Sequence, residues 1–428
     1  MRLIEGYPAS RAALEASNAA RAFTNNPEIE KVVRELCEDV RLRGDEALLE
    51  IERRFDCPSL ELSQLRVTQG EIDEAWRALP ANAKQALQRA ADNIEAFHRA
   101  QPVGDWFTTS PDGAFLGQRY TPVERAGMYA PNYRAAYPST VLMLAMPAKV
   151  AGVPEVVLAS PPGRDGMSHP MILAAAKVAG VSEIYKIGGA AAMAALAYGT
   201  DSVRKVDKIV GPGSIYVTLA KKHLYGVVGI DGLYGPSEVV VLADGAPETL
   251  ALAPQLAADL IAQAEHGSDS FVCFVSPSRE VCDAVALQVE AQVGRSSRAD
   301  ILRESLENSL MLCVETLEQA IELCNLAAPE HAEIWSRDAL AFLPQIKHAG
   351  AIFLNTPVPL GDYIIGPSHT LPTGATARFA QGVGVETFLK RTSVIAASQP
   401  TMAALAEDLA TLALLEDLPG HAAAGAGK

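Results

Sequence analysis

From about residue 120 to residue 354, short β-branched runs alternate with alanine-rich stretches of helical periodicity. This alternation confines the chain to a parallel sheet covered by helices. The runs fall at 156–158, 183–187, 208–210 and 227–230, and a second round follows at 238–242, 271–275, 310–314, 333–335 and 351–354. Parallel neighbours need a long crossover, and helical stretches of roughly 10–20 residues between the runs supply it. The predicted fold class is α/β: two similar doubly wound, Rossmann-like parallel-sheet domains, with small helical N- and C-terminal arms. The similarity of the two domains is architectural, since no residue-level repeat is present. Ligands of such sheets sit beyond the carboxyl ends of the strands, which draws attention to Gly188-Gly189 and Gly211-Pro212-Gly213, each at the end of a run.

Outside the alternating region, 28–52 and 71–100 read as helices, with Val32, Val33, Leu36 and Val40 at helical spacing. The chain divides into an N-terminal helical arm (1–24), a first α/β domain (25–118 with 238–378), a second α/β domain (119–237) and a C-terminal helical arm (379–428). Within that last arm 393–418 reads as helix, placed to pack on a partner subunit. With 49% hydrophobic residues in 428, two substantial cores are within reach. A net charge of -15 argues against a nucleic-acid or anionic-membrane partner. The longest uncharged runs fall short of the ~20 residues of a spanning helix. The first twenty residues scatter Arg2, Glu5, Arg11 and Glu15 among alanines, so a cytoplasmic protein is expected. The six cysteines form no CxxC pair and read as reduced thiols, so any metal site must use nitrogen and oxygen donors.

Four of the eight histidines lie beside carboxylates or an amide in the second half of the chain. Gln263 and His266 are three apart on a helix whose inward stripe is Leu256, Ala257, Leu260, Ile261 and Ala264, so both can share one ligand. A polar helix end at the surface explains them equally. Glu330-His331 follows Pro329 at a helix-to-strand junction, where two consecutive side chains can face one cavity. They read as an acid/base pair or as an exposed turn. Asp362 and His369 share a loop rich in Gly, Pro and Ser at 361–373, more often functional than structural. Glu416 and His421 lie near the end of the chain, where fraying is the ordinary expectation. His98, His169, His223 and His348 have no such neighbours and read as packing or surface residues. Gln, His, Asp and a second His make a mixed N/O set compatible with Zn²⁺, although spacing alone does not identify the metal.

These segments resemble the histidinol dehydrogenase family. The resemblance runs through Tyr137-Pro-Ser139, 147–152, 194–200, 207–213, Gly235-Pro-Ser237-Glu238, Gln263-Ala-Glu-His266, Pro329-Glu330-His331, Gly361-Asp362-Tyr363, His369, 371–373 and Lys390-Arg391. It implies one Zn²⁺ per subunit, held by Gln263, His266, Asp362 and His421, with those four also touching substrate. Glu330 and His331 would be the acid/base pair, His331 also binding substrate, and Ser237, His369 and Glu416 would bind it too. Glu416 and His421 would come from the other subunit of a homodimer. Tyr129, Ala191 and Ser214 would bind NAD in the second domain, while the first carries the metal and acid/base residues. The implied reaction is the four-electron oxidation of L-histidinol to L-histidine through L-histidinal. The chain departs from the family pattern where the dinucleotide is contacted, at Asn132, Tyr133, Ala191, Ser214 and Tyr234. Each lost side-chain hydrogen bond there costs ~0.5–1.5 kcal/mol of cofactor binding. A relative acting on another amino alcohol or diol, a zinc hydrolase with Glu330 as base, and a silent ligand-binding homologue are the competing readings.

Overall fold

The computed structural model describes residues 1–21, 26–132 and 136–425, and these residues form three sheets. The largest is six-stranded and parallel throughout, in the spatial order Arg2–Glu5, Leu310–Cys313, Phe271–Ser276, Glu238–Ala243, His331–Trp335, Ala351–Leu354. A second, five-stranded and also parallel, runs Glu183–Tyr185, Glu155–Ala159, Arg125–Tyr129, Lys208–Val210, Gly229–Ile230. Both are doubly wound: the first strand of each alternating series sits centrally and the chain builds outward on either side. The third is a small antiparallel sheet of Trp106–Thr109, Phe115–Pro122 and Leu389–Ala396.

All nine runs expected from the sequence coincide with strands, the one at 227–230 only in its last two residues, Gly229–Ile230. Three features of the proposed division come out differently. Arg2–Glu5 is an edge strand paired with Leu310–Cys313, so the N-terminal segment is not purely a helical arm. Leu389–Ala396 is a strand, and the terminal helix begins only at Gln399, because Val394 and Ile395 pair with Gly117 and Leu116. Residues 27–99, expected to join the domain of the larger sheet, instead cover the helices of the smaller one.

The reason lies in those helices. Gly189–Tyr198 is buried at every position from Ala190 to Ala197, and Pro138–Ala151 from Ser139 to Ala148. A helix apolar on all sides has to be enclosed on all sides. Pro27–Arg43 and Asp45–Phe55 close one face, packing Val33, Cys37, Val40 and Leu48 against the alanines of Gly189–Tyr198. Gln69–Ala78 and Ala81–Arg99 close the other, against Pro138–Ala151 and Pro170–Ala179. Gly44, at φ 58, and Pro80 divide what read as two long helices into four. The six cysteines are free thiols, and among the described residues no helix is long and apolar enough to cross a membrane.

Candidate active site

A cleft of about 490 Å³ lies between the two parallel sheets. The five-stranded sheet meets it by its carboxyl edge: Pro131 follows Arg125–Tyr129, and Pro212 and Gly213 follow Lys208–Val210. Gly211 has φ +120, and a Cβ there would stand 2.4 Å from the Tyr129 carbonyl oxygen, so only glycine allows the turn. The six-stranded sheet meets the cleft by its amino edge instead. Ser237 precedes Glu238–Ala243, Glu330 precedes His331–Trp335, and Gln263 and His266 precede Phe271–Ser276. The cleft thus draws on an amino edge as well as the expected carboxyl edge, and the Gly188-Gly189 turn is closed from within. The Gly188 N–H donates to Glu52 (2.8 Å) and the Gly189 N–H to the Tyr129 hydroxyl (3.2 Å).

Glu330 and His331 are fixed by one residue of the adjacent strand. The Glu238 N–H donates to Glu330 Oε2 (2.9 Å), and His331 Nδ1 donates to the Glu238 carbonyl (3.0 Å). A carbonyl only accepts, so Nδ1 carries a proton and Nε2 is the basic nitrogen in the neutral ring. His331 Nε2 stands 3.3 Å from Asp362 Oδ1. Burial alone would lower the pKa of His331, but the charge of Glu330 and the contact with Asp362 outweigh it and raise it to about 9. Burial raises Glu330 to about 8, against the opposing pull of His331 and the Glu238 N–H. Carboxyl and imidazole are thus both moved toward neutrality or above it, as proton-transfer groups require.

Asp362 is supplied by the short helix Val358–Tyr363. Burial would raise its pKa, but His331, His369 and His266 hold it below the usual carboxylate value. Its Oδ2 accepts from Gln263 Nε2 (3.0 Å), and its backbone carbonyl accepts from His369 Nδ1 (2.7 Å). His369 Nε2 contacts the Thr140 hydroxyl at 3.0 Å, and burial lowers the pKa of this ring, which favours its neutral form. Gln263 is buried, and its Oε1 has no hydrogen-bond partner among the described residues. His266 Nδ1 lies 3.3 Å from the Gln263 carbonyl, which again directs the proton to Nδ1 and leaves Nε2 with a lone pair. Among the described residues no three His, Cys, Asp or Glu side chains form a ready metal cluster. Gln263 Oε1, the Asp362 carboxylate and His266 Nε2 together provide hard donors for a divalent cation, and the orphaned amide oxygen is an acceptor awaiting such a partner.

The other expected residues divide. Ser237, His369, Ser214 and Tyr234 line the cleft. Tyr129 and Ala191 do not: both are buried behind the wall, among the helices that enclose the smaller sheet. Asn132 donates to the Pro161 carbonyl (3.3 Å), and Tyr133 lies outside the described residues. Glu416 and His421 are exposed on the C-terminal helices and are not brought to the cleft of their own chain. Of the histidines without carboxylate neighbours, His98 is buried against Gln101 and His169 caps Pro170–Ala179. The role of Glu238 was not read from the sequence. Its signal is an acid opening the otherwise apolar strand EVVVLA.

Comparison with known proteins gives a consistent result. The family model described as "Histidinol dehydrogenase" matches residues 19–427. A curated histidinol dehydrogenase of Symbiobacterium thermophilum is 49% identical over 400 residues, covering 93% of this chain and 90% of its own. One from Heliobacterium mobile is 45% identical, covering 99% and 98%. A solved histidinol dehydrogenase of Elizabethkingia anophelis superposes with a TM-score of 0.92 at 32% identity, covering 99% of this chain and 97% of that one.

Proposed function

The chain belongs to the histidinol dehydrogenase family, and on that premise we propose how its cleft oxidises histidinol in histidine biosynthesis. L-histidinol is converted to L-histidine through L-histidinal, with NAD as the hydride acceptor and one zinc ion per subunit. Gln263, His266 and Asp362 hold the metal, together with the partner subunit's His421. Zinc held there would supply Lewis-acid binding of the substrate and so orient its carbinol carbon.

His331 Nε2 takes the proton of the substrate hydroxyl as hydride leaves. The Glu238 carbonyl keeps Nε2 available by retaining the proton on Nδ1. Any cation taken up by Asp362 weakens that carboxylate's hold on His331 and brings the imidazole back toward neutrality. In the second half-reaction Glu330 takes a proton from the water that adds to the aldehyde, protonated His331 returns its proton to the carbonyl oxygen, and the neutral His331 then removes a hydroxyl proton of the hydrate as the second hydride leaves for NAD. Ser237, His369 and the partner subunit's Glu416 contact the substrate. NAD lies along the opposite wall, near Ser214, with Tyr129 and Ala191 behind that wall.

A homodimer is supported by the terminal helix Gln399–Leu415. Met402, Leu405, Leu409 and Leu412 form an exposed apolar stripe along it, of the kind a partner subunit covers. A cytoplasmic setting is supported by the six free thiols.

One observation carries the reading. Asp362 joins the donor group to the acid/base group, with one oxygen 3.0 Å from Gln263 and the other 3.3 Å from His331. Purified, zinc-loaded protein should yield about two NADH for each L-histidinol consumed. Turnover restricted to other alcohols, or hydrolysis without a dinucleotide, would overturn it.

A further inference from the structure

Glu238 is an acid at a place that should be apolar. It opens the central strand of the larger sheet, is 2% exposed, and is followed by three valines, a leucine and an alanine. Its backbone supplies both hydrogen bonds that hold the acid/base pair, the N–H to Glu330 and the carbonyl to His331. Its carboxylate is held by other partners, with the Glu330 backbone also beside it. Glu238 Oε1 accepts from the Arg21 guanidinium and from the Gly374 N–H (2.9 Å). Arg21 is the last residue of the helix Tyr7–Arg21, remote in sequence from every cleft residue, and it does not line the cleft. Its guanidinium lies 3.8 Å over the Phe271 ring and is steadied by Asn18.

We propose that Arg21 is a positioning residue for the oxidation: by clamping the Glu238 carboxylate it fixes the peptide groups that hold Glu330 and His331. The inference rests on the functional reading above and adds a residue to it. Physically, pairing with Phe271–Ser276 and His331–Trp335 sets the register of the strand, and the Arg21 clamp fixes the orientation of its first residue. Residues 235–237 are outside the sheet, tied by the Gly235 N–H to the Thr373 hydroxyl (2.6 Å) and by the Phe271 N–H to the Ser237 carbonyl (3.0 Å). A buried carboxylate without its cation moves toward water or takes up a proton. Either change pulls on the residue whose N–H and C=O orient the acid/base pair, and small displacements of reacting groups are expensive in rate.

The test uses the full-length, zinc-loaded enzyme as wild type, Arg21→Met, Arg21→Lys and Glu238→Gln. Arg21→Met should lower kcat roughly 10- to 100-fold while the KM for L-histidinol and the zinc content stay near wild type. Arg21→Lys, which restores a cation, should recover most of the loss. An Arg21→Met enzyme with wild-type kcat overturns the proposal. So does a loss shared equally by Met and Lys variants and accompanied by falling zinc content and thermal stability, which marks general damage. If Arg21→Met does not fold, the near-isosteric Glu238→Gln decides. Reduced kcat at unchanged KM supports the clamp, and unchanged kcat overturns it. A wild-type protein inert toward L-histidinol fails the functional reading rather than the clamp. In that case the proton on His331 Nδ1, followed by ¹⁵N NMR, gives the answer, since the clamp requires its signal to disappear in Arg21→Met and its persistence rejects the idea.

Discussion

The two sheets meet the cleft by opposite ends, and the polarity of their helices follows. In a parallel α/β sheet the covering helices run against the strands, so an amino edge gathers helix C-termini and a carboxyl edge gathers helix N-termini. Ala253–Ala264 ends at the cleft on the six-stranded side, just before His266, whereas Pro138–Ala151 and Ile215–Leu224 begin there on the five-stranded side. The first kind of edge carries partial negative charge and suits cations, and the second suits anions. On the proposed function, a zinc ion and an amino alcohol would therefore belong to one wall and the pyrophosphate of a dinucleotide to the other. Substitutions on one wall should leave the other wall's ligand alone.

The harshest break of that division is on the cation wall. His266→Ala should remove zinc and with it oxidation, and normal zinc occupancy, measured by atomic absorption, would contradict the ligand assignment. Next in size is the acid/base pair. His331→Ala should slow turnover by about 10²–10⁴-fold with zinc retained. Glu330→Gln should act mainly on the aldehyde step, so that L-histidinal accumulates. Because burial raises Glu330 to about 8, its basic form grows as pH rises through that value. Wild-type aldehyde oxidation should therefore increase across this range, and the increase should be absent in Glu330→Gln. A pH profile common to both proteins would assign the base elsewhere.

A middle-sized effect asks whether the cation wall is complete within one subunit. Mixing His331→Ala with His421→Ala protein should restore about a quarter of wild-type activity, because random pairing makes about half the dimers mixed and each has one intact site. No recovery after exchange means that His421 acts in its own chain or not at all. The smallest effect belongs to the anion wall. Ser214→Asn adds an amide at the start of Ile215–Leu224 and should lower the KM for NAD by about 2- to 10-fold, the worth of one hydrogen bond. The KM for L-histidinol should not move. Equal changes in both constants would dissolve the separation of the walls.

The sequence carried the sheets well, because buried parallel strands read as short β-branched runs. Arg125–Tyr129, the central strand of the smaller sheet, was missed: its Arg, Ala, Gly, Met and Tyr contain no β-branched residue, although all five are buried. The placement of 27–99 is not legible from chain order, because it is set by what must enclose the alanine-rich, wholly apolar helix Gly189–Tyr198. Gln263, His266, Glu330, His331, Asp362 and His369 were legible as polar groups that interrupt apolar periodicity, and all of them reach the cleft. Glu238 and Arg21 escaped notice because they meet only in three dimensions, across 217 residues. Glu416 and His421 stand in solvent, away from the cleft of their own chain, so neither the sequence pattern nor the single chain gives them a partner there.

The enclosed alanines set a boundary for anyone who wishes to re-engineer the coenzyme preference. Position 191 is one of the departures from the family pattern, yet its side chain is walled in by a second tier of helices. Installing a longer polar side chain there means overpacking, with a penalty of about 1–3 kcal/mol before any contact with coenzyme is gained. Libraries confined to the more accessible positions 132 and 214 leave that packing untouched and offer the shorter path.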